Sequence, residues 1–288
     1  MSVTTQTTAT LTAEMPAAFY DPLLLKRLLP NLVHSRFAQK RSIPLQAGKT
    51  INIRRFESLS AATSALTEGT VPNGTTLSVT AITATVAAYG NFVQISDFLD
   101  YTAMDPTLTE TAILLGENAG NSLDQVTRDA IVGGTTVQYA AGEAGRSSVK
   151  STDTLSVTEI RKAVRTLNGN NAKPFPDGNF VGIAHPNALF DFQGDSGWIN
   201  AQEFAGSGNL MTGEAGRMYG VRWLMTSNAK VFSAAGAASA DVYATLIIGT
   251  DAYFVADLEG AGVVRNIVKP LGSSGTADPL NQLATSGR

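Results

Sequence analysis

The sequence predicts an α+β protein whose parts reach beyond its own core. A long capped helix beginning at Asp105 is the clearest regular element. Two stretches rich in β-branched residues flank a polar segment, residues 59–76, that has almost nothing to bury. From Ser156 onward, helical and strand patterns alternate. A long helix, a projecting hairpin and a mixed half make a chain of segregated helices and sheets.

The chain opens with MSVTTQTTATLTAEMPAA, mostly Thr, Ala and Ser with few large side chains. Such a composition does not offset the entropy of ordering without a partner, so it predicts an arm. It also lacks the basic start and apolar centre of a signal peptide. Residues 18–33, AFYDPLLLKRLLPNLV, set Leu23, Leu24, Leu28 and Leu32 toward one side and Lys26 and Arg27 outward, with Pro22 early and Pro30 interrupting. This spacing predicts a short amphipathic helix.

In GKTINIRRFESL, Ile51 and Ile53 alternate with polar neighbours, the period of a strand. A loop containing TEGTVPNGTT follows, then LSVTAITATVAAYGNFVQIS, in which Val86, Val93 and Ile95 mark a return strand. A hairpin with so polar a tip projects from its body and needs something else to lie on.

At the long helix, Asp105 serves as N-cap, Pro106 fits the first turn, and Glu110 lies near the positive end of the dipole. Its expected apolar seam is Leu108, Ala112, Leu115, Ala119, Leu123, Val126 and Ala130, and Gly133-Gly134 stops it. At about 1.5 Å per residue it runs roughly 40 Å, a spine rather than a core helix. Gly116 and Gly120 within it are costly unless another backbone packs close.

The capping box Ser156-Val-Thr-Glu159 opens a second helix with Ile160, Val164 and Leu167 inward and Arg161, Lys162 and Arg165 outward, ending at Asn168-Gly169. Then come strand NFVGIA, a helical turn opening at Pro186 with Leu189, Phe190 and Phe192 as core, and a Gly-rich loop. Strands GVRWLMT, VYATLIIG, AYFVADL and VVRNIVKP complete the mixed half.

The totals exclude several functions. The chain has 288 residues, 43% hydrophobic, with a net charge of −3 and a pI near 5.4. It can bury a sizeable core but has no basic footprint for gripping nucleic acid. Cysteine is absent and histidine occurs twice, so thiol chemistry is excluded and a His-based zinc site has few ligands. No apolar run approaches the roughly 20 residues of a membrane helix.

Residues 194–197 read Gly-Asp-Ser-Gly, the tetrapeptide around the nucleophile of trypsin-like proteases. A serine attacks only with a base in reach, a group orienting that base, and donors for the oxyanion. His34 and His185 lack the context of such a base, and Trp198 stands where those enzymes have another glycine. The motif therefore reads as a turn in which Asp195 and Ser196 bond backbone groups. His185 reads as the cap of the helix that Pro186 starts. Arg54 and Arg55 are the one tight basic pair on a predicted strand, suited to an ion pair with Glu57 or Glu68 or to acids on another chain.

The stretches FYDPLLLKRLLPNLV, FAQKRSIPLQAGKTINIRRFESL, LTEGTVPNG, YGNFVQISDFLD, DPTLTETAILLGENA, EIRKAVRTLNGNNAKPF, HPNALFDF, YGVRWLMTSNAKVF, VYATLIIGTDAYFV and GTADPLNQ follow one another from Phe19 to Gln282. In that order they resemble one branch of the major capsid (coat) proteins of tailed bacteriophages, whose Hong Kong 97-type fold is shared by herpesvirus capsid floors and encapsulin shells.

The resemblance implies an N-terminal arm with the amphipathic helix (1–47), an extended β-hairpin loop over a neighbouring subunit (48–95), a peripheral domain on the spine helix (96–155 and 258–288) and an axial domain (156–257). It makes Arg54, Arg55, Glu57 and Glu68 candidates for contacts between subunits. It implies self-assembly through pentamers and hexamers into an icosahedral shell enclosing double-stranded DNA, without catalysis, cofactor, metal or membrane. Further implied partners are scaffolding, portal and cement proteins, with synthesis in the host cytoplasm and residence in the virion capsid. Relatives continue past ADPLNQ with Trp-containing text and a final strand, so a sheet strand is expected to be missing or supplied differently here. An encapsulin-like cellular nanocompartment shell and a serine hydrolase using Ser196 are the alternative readings.

Overall fold

The computed structural model describes residues 32–44, 46, 48–71, 73–102, 107–195, 216–258, 267–269 and 278–287. The expected arm, most of the expected 18–33 helix, the Asp105-Pro106 cap and Ser196 lie outside them. The chain divides into two compact units, one of residues 1–39, 90–254 and 264–288, the other of residues 40–89 and 255–263.

Among the described residues, the smaller unit holds two strand pairs. β1 (Gln39–Ile43), which begins at the junction with the larger unit, pairs with β11 (Phe254–Leu258), and β2 (Thr50–Phe56) pairs antiparallel with β3 (Val79–Thr85). The expected return strand is shorter than its β-branched text. It breaks after Thr85, and Val93 and Ile95 belong to a separate strand in the larger unit, β4 (Phe92–Ser96). Ala87, Ala88 and Gly90, poor strand formers around Tyr89, have little to hold a ladder together.

In the larger unit, β4 is followed by α1 (Asp97–Thr102) and the spine helix α2 (Thr107–Val132), which stops before Gly133 as expected. β4 joins a three-stranded sheet in the order β12 (Ile267–Lys269), β13 (Leu283–Gly287), β4. β13, the last strand among the described residues, is the central strand of this sheet. Alternation turns Val93 and Ile95 to the face that packs with Val268, Leu99 and Ala112 of α2. Ala112, Leu115, Gly116, Ala119 and Gly120 are buried, but Val126 and Ala130 are exposed. The apolar seam thus ends at half-buried Leu123, about two turns early, and the buried residue beside it is Asp124.

The second body of the unit is a four-stranded sheet in the order β10 (Leu246–Ile248), β5 (Phe180–Ala184), β7 (Val221–Met225), β6 (Arg217–Met218). β5 and β7 run parallel, and β10 and β6 are antiparallel to their neighbours. The expected strand VYATLIIG is two, because Val242–Tyr243 forms β9, paired with β8 (Val231–Phe232), before β10 begins.

Helices α3 (Val157–Gly169) and α4 (Pro186–Gln193) cover one sheet face, where Val157, Ile160, Leu189 and Phe192 meet Phe180, Val221 and Trp223. The Ser156 side chain accepts from the Glu159 N–H, the expected cap. Phe190, expected in the core, is exposed instead. On the opposite face Val181, Ile183 and Ile248 are covered by Val33, Phe37, Phe175 and Tyr253, so residues 33–37 form part of the core.

Gly182 is required where it stands. A Cβ there would lie 2.6 Å from the ring of Trp223, its register partner on β7.

Candidate assembly interface

The β2–β3 hairpin carries all four expected contact residues. Its register pairs Ile53 with Ile82, Arg54 with Ala81, Arg55 with Thr80 and Phe56 with Val79. Successive strand residues face opposite ways, so Arg54 and Phe56 share one face and Arg55 shares the other with Ile53. The two arginines, adjacent in sequence, therefore project from opposite faces.

Glu57 continues the ladder, its N–H donating to the Ser78 carbonyl oxygen (3.1 Å), and its carboxylate accepts from the Thr80 hydroxyl (2.8 Å). Glu68 sits in the outer turn that Thr70 closes by donating its N–H to the Thr67 carbonyl oxygen (3.3 Å). Gly69 there takes φ +79°, the left-handed value a type II turn needs at its third position. Among the described residues, no ion pair joins Arg54 or Arg55 to Glu57 or Glu68. The expectation of a pair within this segment is not met, and all four charged groups face water.

The hairpin also exposes Phe56 (64%), Leu59, Leu66, Val71 (92%), Leu77 and Val79. Reading the tip as polar missed these, because single apolar residues spaced among Ser, Thr and Gly follow neither a helical nor a strand period. Covering one such side chain contributes about 1.5–3 kcal/mol. A two-stranded hairpin has no second layer to do it.

Of the protease motif, Gly194 and Asp195 are among the described residues and Ser196 is not. Asp195 accepts the N–H of Val157 at the start of α3 (3.1 Å), so the turn does bond backbone as expected, though to a segment 38 residues away. His185 caps α4, its Nδ1 accepting from the Asn187 N–H (3.2 Å), and its ring lies against Tyr243.

His34 is fully buried, with Nδ1 2.8 Å from Asp124 Oδ2. Asp124 Oδ1 accepts the N–H groups of Val33 (2.8 Å) and His34 (2.7 Å), and the Tyr253 hydroxyl donates to the His34 carbonyl oxygen. Burial alone would raise the Asp124 pKa. The hydrogen bonds and charge of His34, with the Val33 N–H, more than offset burial and hold it below the ordinary value. Burial, aided by the Asp124 charge, pushes Tyr253 up to about 12. An Asp–His pair is two of the three members of a catalytic triad, but here Nε2 is buried and has no hydrogen-bond partner among the described residues.

A three-stranded sheet on a spine helix and a helix-covered mixed sheet in one unit, with a long hairpin in the other, match the Hong Kong 97-type capsid fold. Solved structures with this fold include the cyanophage Pam1 capsid asymmetric unit, matched at a TM-score of 0.67 and 21% identity over 100% of this chain and 92% of that one. The capsid of Ralstonia phage GP4 matches at 0.63 and 16%, covering 89% and 82%. A virus-like particle from Pyrococcus furiosus matches at 0.50 and 11%, covering 94% and 91%. No family model matches the sequence, and no curated protein matches it.

Proposed function

We propose that this chain is the major capsid protein of a tailed phage, a structural subunit that assembles into an icosahedral shell around double-stranded DNA and catalyses nothing. The observation that carries this reading is the β2–β3 hairpin, whose large side chains from Phe56 to Val79 lie in water on a chain with a capsid fold. A neighbouring copy supplies the missing layer, and burial there drives assembly. In this scheme residues 48–95 are the extended loop, 156–257 the axial domain at the capsomer centre, and 96–155 with 258–288 the peripheral domain. Arg54, Arg55, Glu57 and Glu68 contact adjacent subunits within pentamers and hexamers, while scaffolding, portal and cement proteins are outside partners. The shell is made in the host cytoplasm.

The mildly acidic chain suits a wall along which packed DNA slides rather than sticks. Negative-stain microscopy of the expressed chain tests the proposal: hollow closed particles are expected, and a persistent monomer overturns it. The nanocompartment reading rests on the weaker match to the Pyrococcus particle, and an enzyme co-purifying inside the shells would favour it.

A further inference from the structure

Strands β6 and β7 are joined by the two-residue turn Tyr219-Gly220, with φ +48° and +75°, the double left-handed geometry of a type I′ hairpin. The register pairs Met218 with Val221 and Arg217 with Arg222. Met218 and Val221 are buried in the helix-covered core, so both arginines leave from the other face. The Trp223 N–H donates to the Gly216 carbonyl oxygen (3.1 Å), which makes Arg217 and Arg222 a non-hydrogen-bonded pair, the kind whose side chains approach most closely.

Two like charges set directly opposite destabilise a hairpin unless an anion lies between them. Asp177 meets only part of that need, with Oδ2 3.1 Å from Nη1 of Arg222. The Nε of Arg222 is buried without a partner, and exposed Arg217 has no ion pair among the described residues. Two arginines thus leave the same sheet face, and among the described residues a carboxylate meets only one of them.

We propose that Arg217 and Arg222 form a clamp for an oxyanion, a phosphate or carboxylate group that accepts hydrogen bonds from both. Guanidinium forks match the paired oxygens of these groups, and a tetrahedral or planar oxyanion can bridge two of them. The oxyanion comes from free phosphate or from a carboxylate of a second copy. The site does not depend on the shell reading, since the phosphate arm of the test uses unassembled subunit.

The test titrates inorganic phosphate into the full chain at constant ionic strength, reading arginine Nε–H resonances and the thermal midpoint, for wild type, Arg217→Gln and Arg217→Glu. Wild type should shift its arginine signals and gain stability with phosphate, and Arg217→Gln should weaken that binding by about tenfold, as losing a charge-assisted pair of bonds does. Arg217→Glu should ignore phosphate and melt higher than wild type without it, because its carboxylate fills the clamp. If wild type ignores phosphate but sediments as oligomers that Arg217→Gln dissolves, the oxyanion belongs to a second copy. Equal phosphate responses in all three proteins, or no response together with unchanged sedimentation, overturn the clamp.

Discussion

The imidazole Nδ1 of His34 lies 2.8 Å from Oδ2 of Asp124, and both side chains are wholly buried. Asp124 sits on the spine helix, and Asn228, after β7, reaches the same carboxylate (3.5 Å) while its carbonyl oxygen accepts from Arg128 (2.7 Å). One acid thus ties residues 33–34 to α2 and to the loop after β7. Removing the carboxylate leaves the Val33 and His34 N–H groups and the imidazole Nδ1 without their partner, at about 1–3 kcal/mol for each buried group, so Asp124→Ala should lower the urea midpoint strongly. Tyr253→Phe, which removes the hydroxyl bonded to the His34 carbonyl oxygen, should cost about 1 kcal/mol.

The pH dependence of the same carboxylate has a definite sign. Its folded pKa is depressed below the ordinary 3.8, so the folded state holds a proton there less readily than the unfolded chain. The stabilisation is complete above the unfolded value and is lost as the pH falls through the folded one. The stability gap between wild type and Asp124→Asn should stay constant from neutrality down to about pH 5 and narrow below about pH 4. A gap that widens on acidification refutes the assignment.

Gly182 answers to packing rather than to backbone conformation. Gly182→Ala places a methyl group against the Trp223 ring and Val221 Cγ1, which a Cβ would approach to 2.9 Å. Overpacking of this kind costs about 1–3 kcal/mol, measurable as a lower urea midpoint with an unchanged slope. Substitution at Gly178, open and at φ +76°, tests the contrasting case, where any cost comes from the backbone alone.

What the sequence made legible was whatever local pattern controls. The Ser156 cap, the His185-Pro186 helix start and the stop after Val132 are set by neighbouring residues and stand where expected. Elements decided by distant partners were misread. Nothing near Val93 says that it pairs with Ser286 rather than continuing the hairpin, and nothing near Val126 says that the helix buries an acid for a histidine 90 residues away. Exposed Phe190 and the isolated apolar residues of the hairpin carry no period to read.

The Gly-Asp-Ser-Gly turn yields a contrast between neighbours. Asp195→Ala removes a carboxylate from the N–H of Val157 at the start of α3 and should cost about 0.5–2 kcal/mol, as loss of a helix cap does. Ser196→Ala should leave assembly unchanged, and a fluorophosphonate should label neither protein. Covalent labelling of Ser196 in wild type would restore the hydrolase reading.

The opposed faces of Arg54 and Arg55 make single variants more informative than the pair. If both arginines contact neighbouring copies, Arg54→Glu and Arg55→Glu each break a contact on a different face of the hairpin. A hydrogen bond to a charged partner is worth about 1.5–3 kcal/mol, so each should raise the concentration needed for particles by about tenfold or more. Reversing both should abolish shells while leaving a folded subunit with wild-type circular dichroism. Phe56→Ser should act with Arg54→Glu, because those side chains share a face, and about 2 kcal/mol of burial is lost with the ring. Light scattering across a concentration series reads all four variants, and shells formed normally by the double reversal would remove the hairpin arginines from the interface.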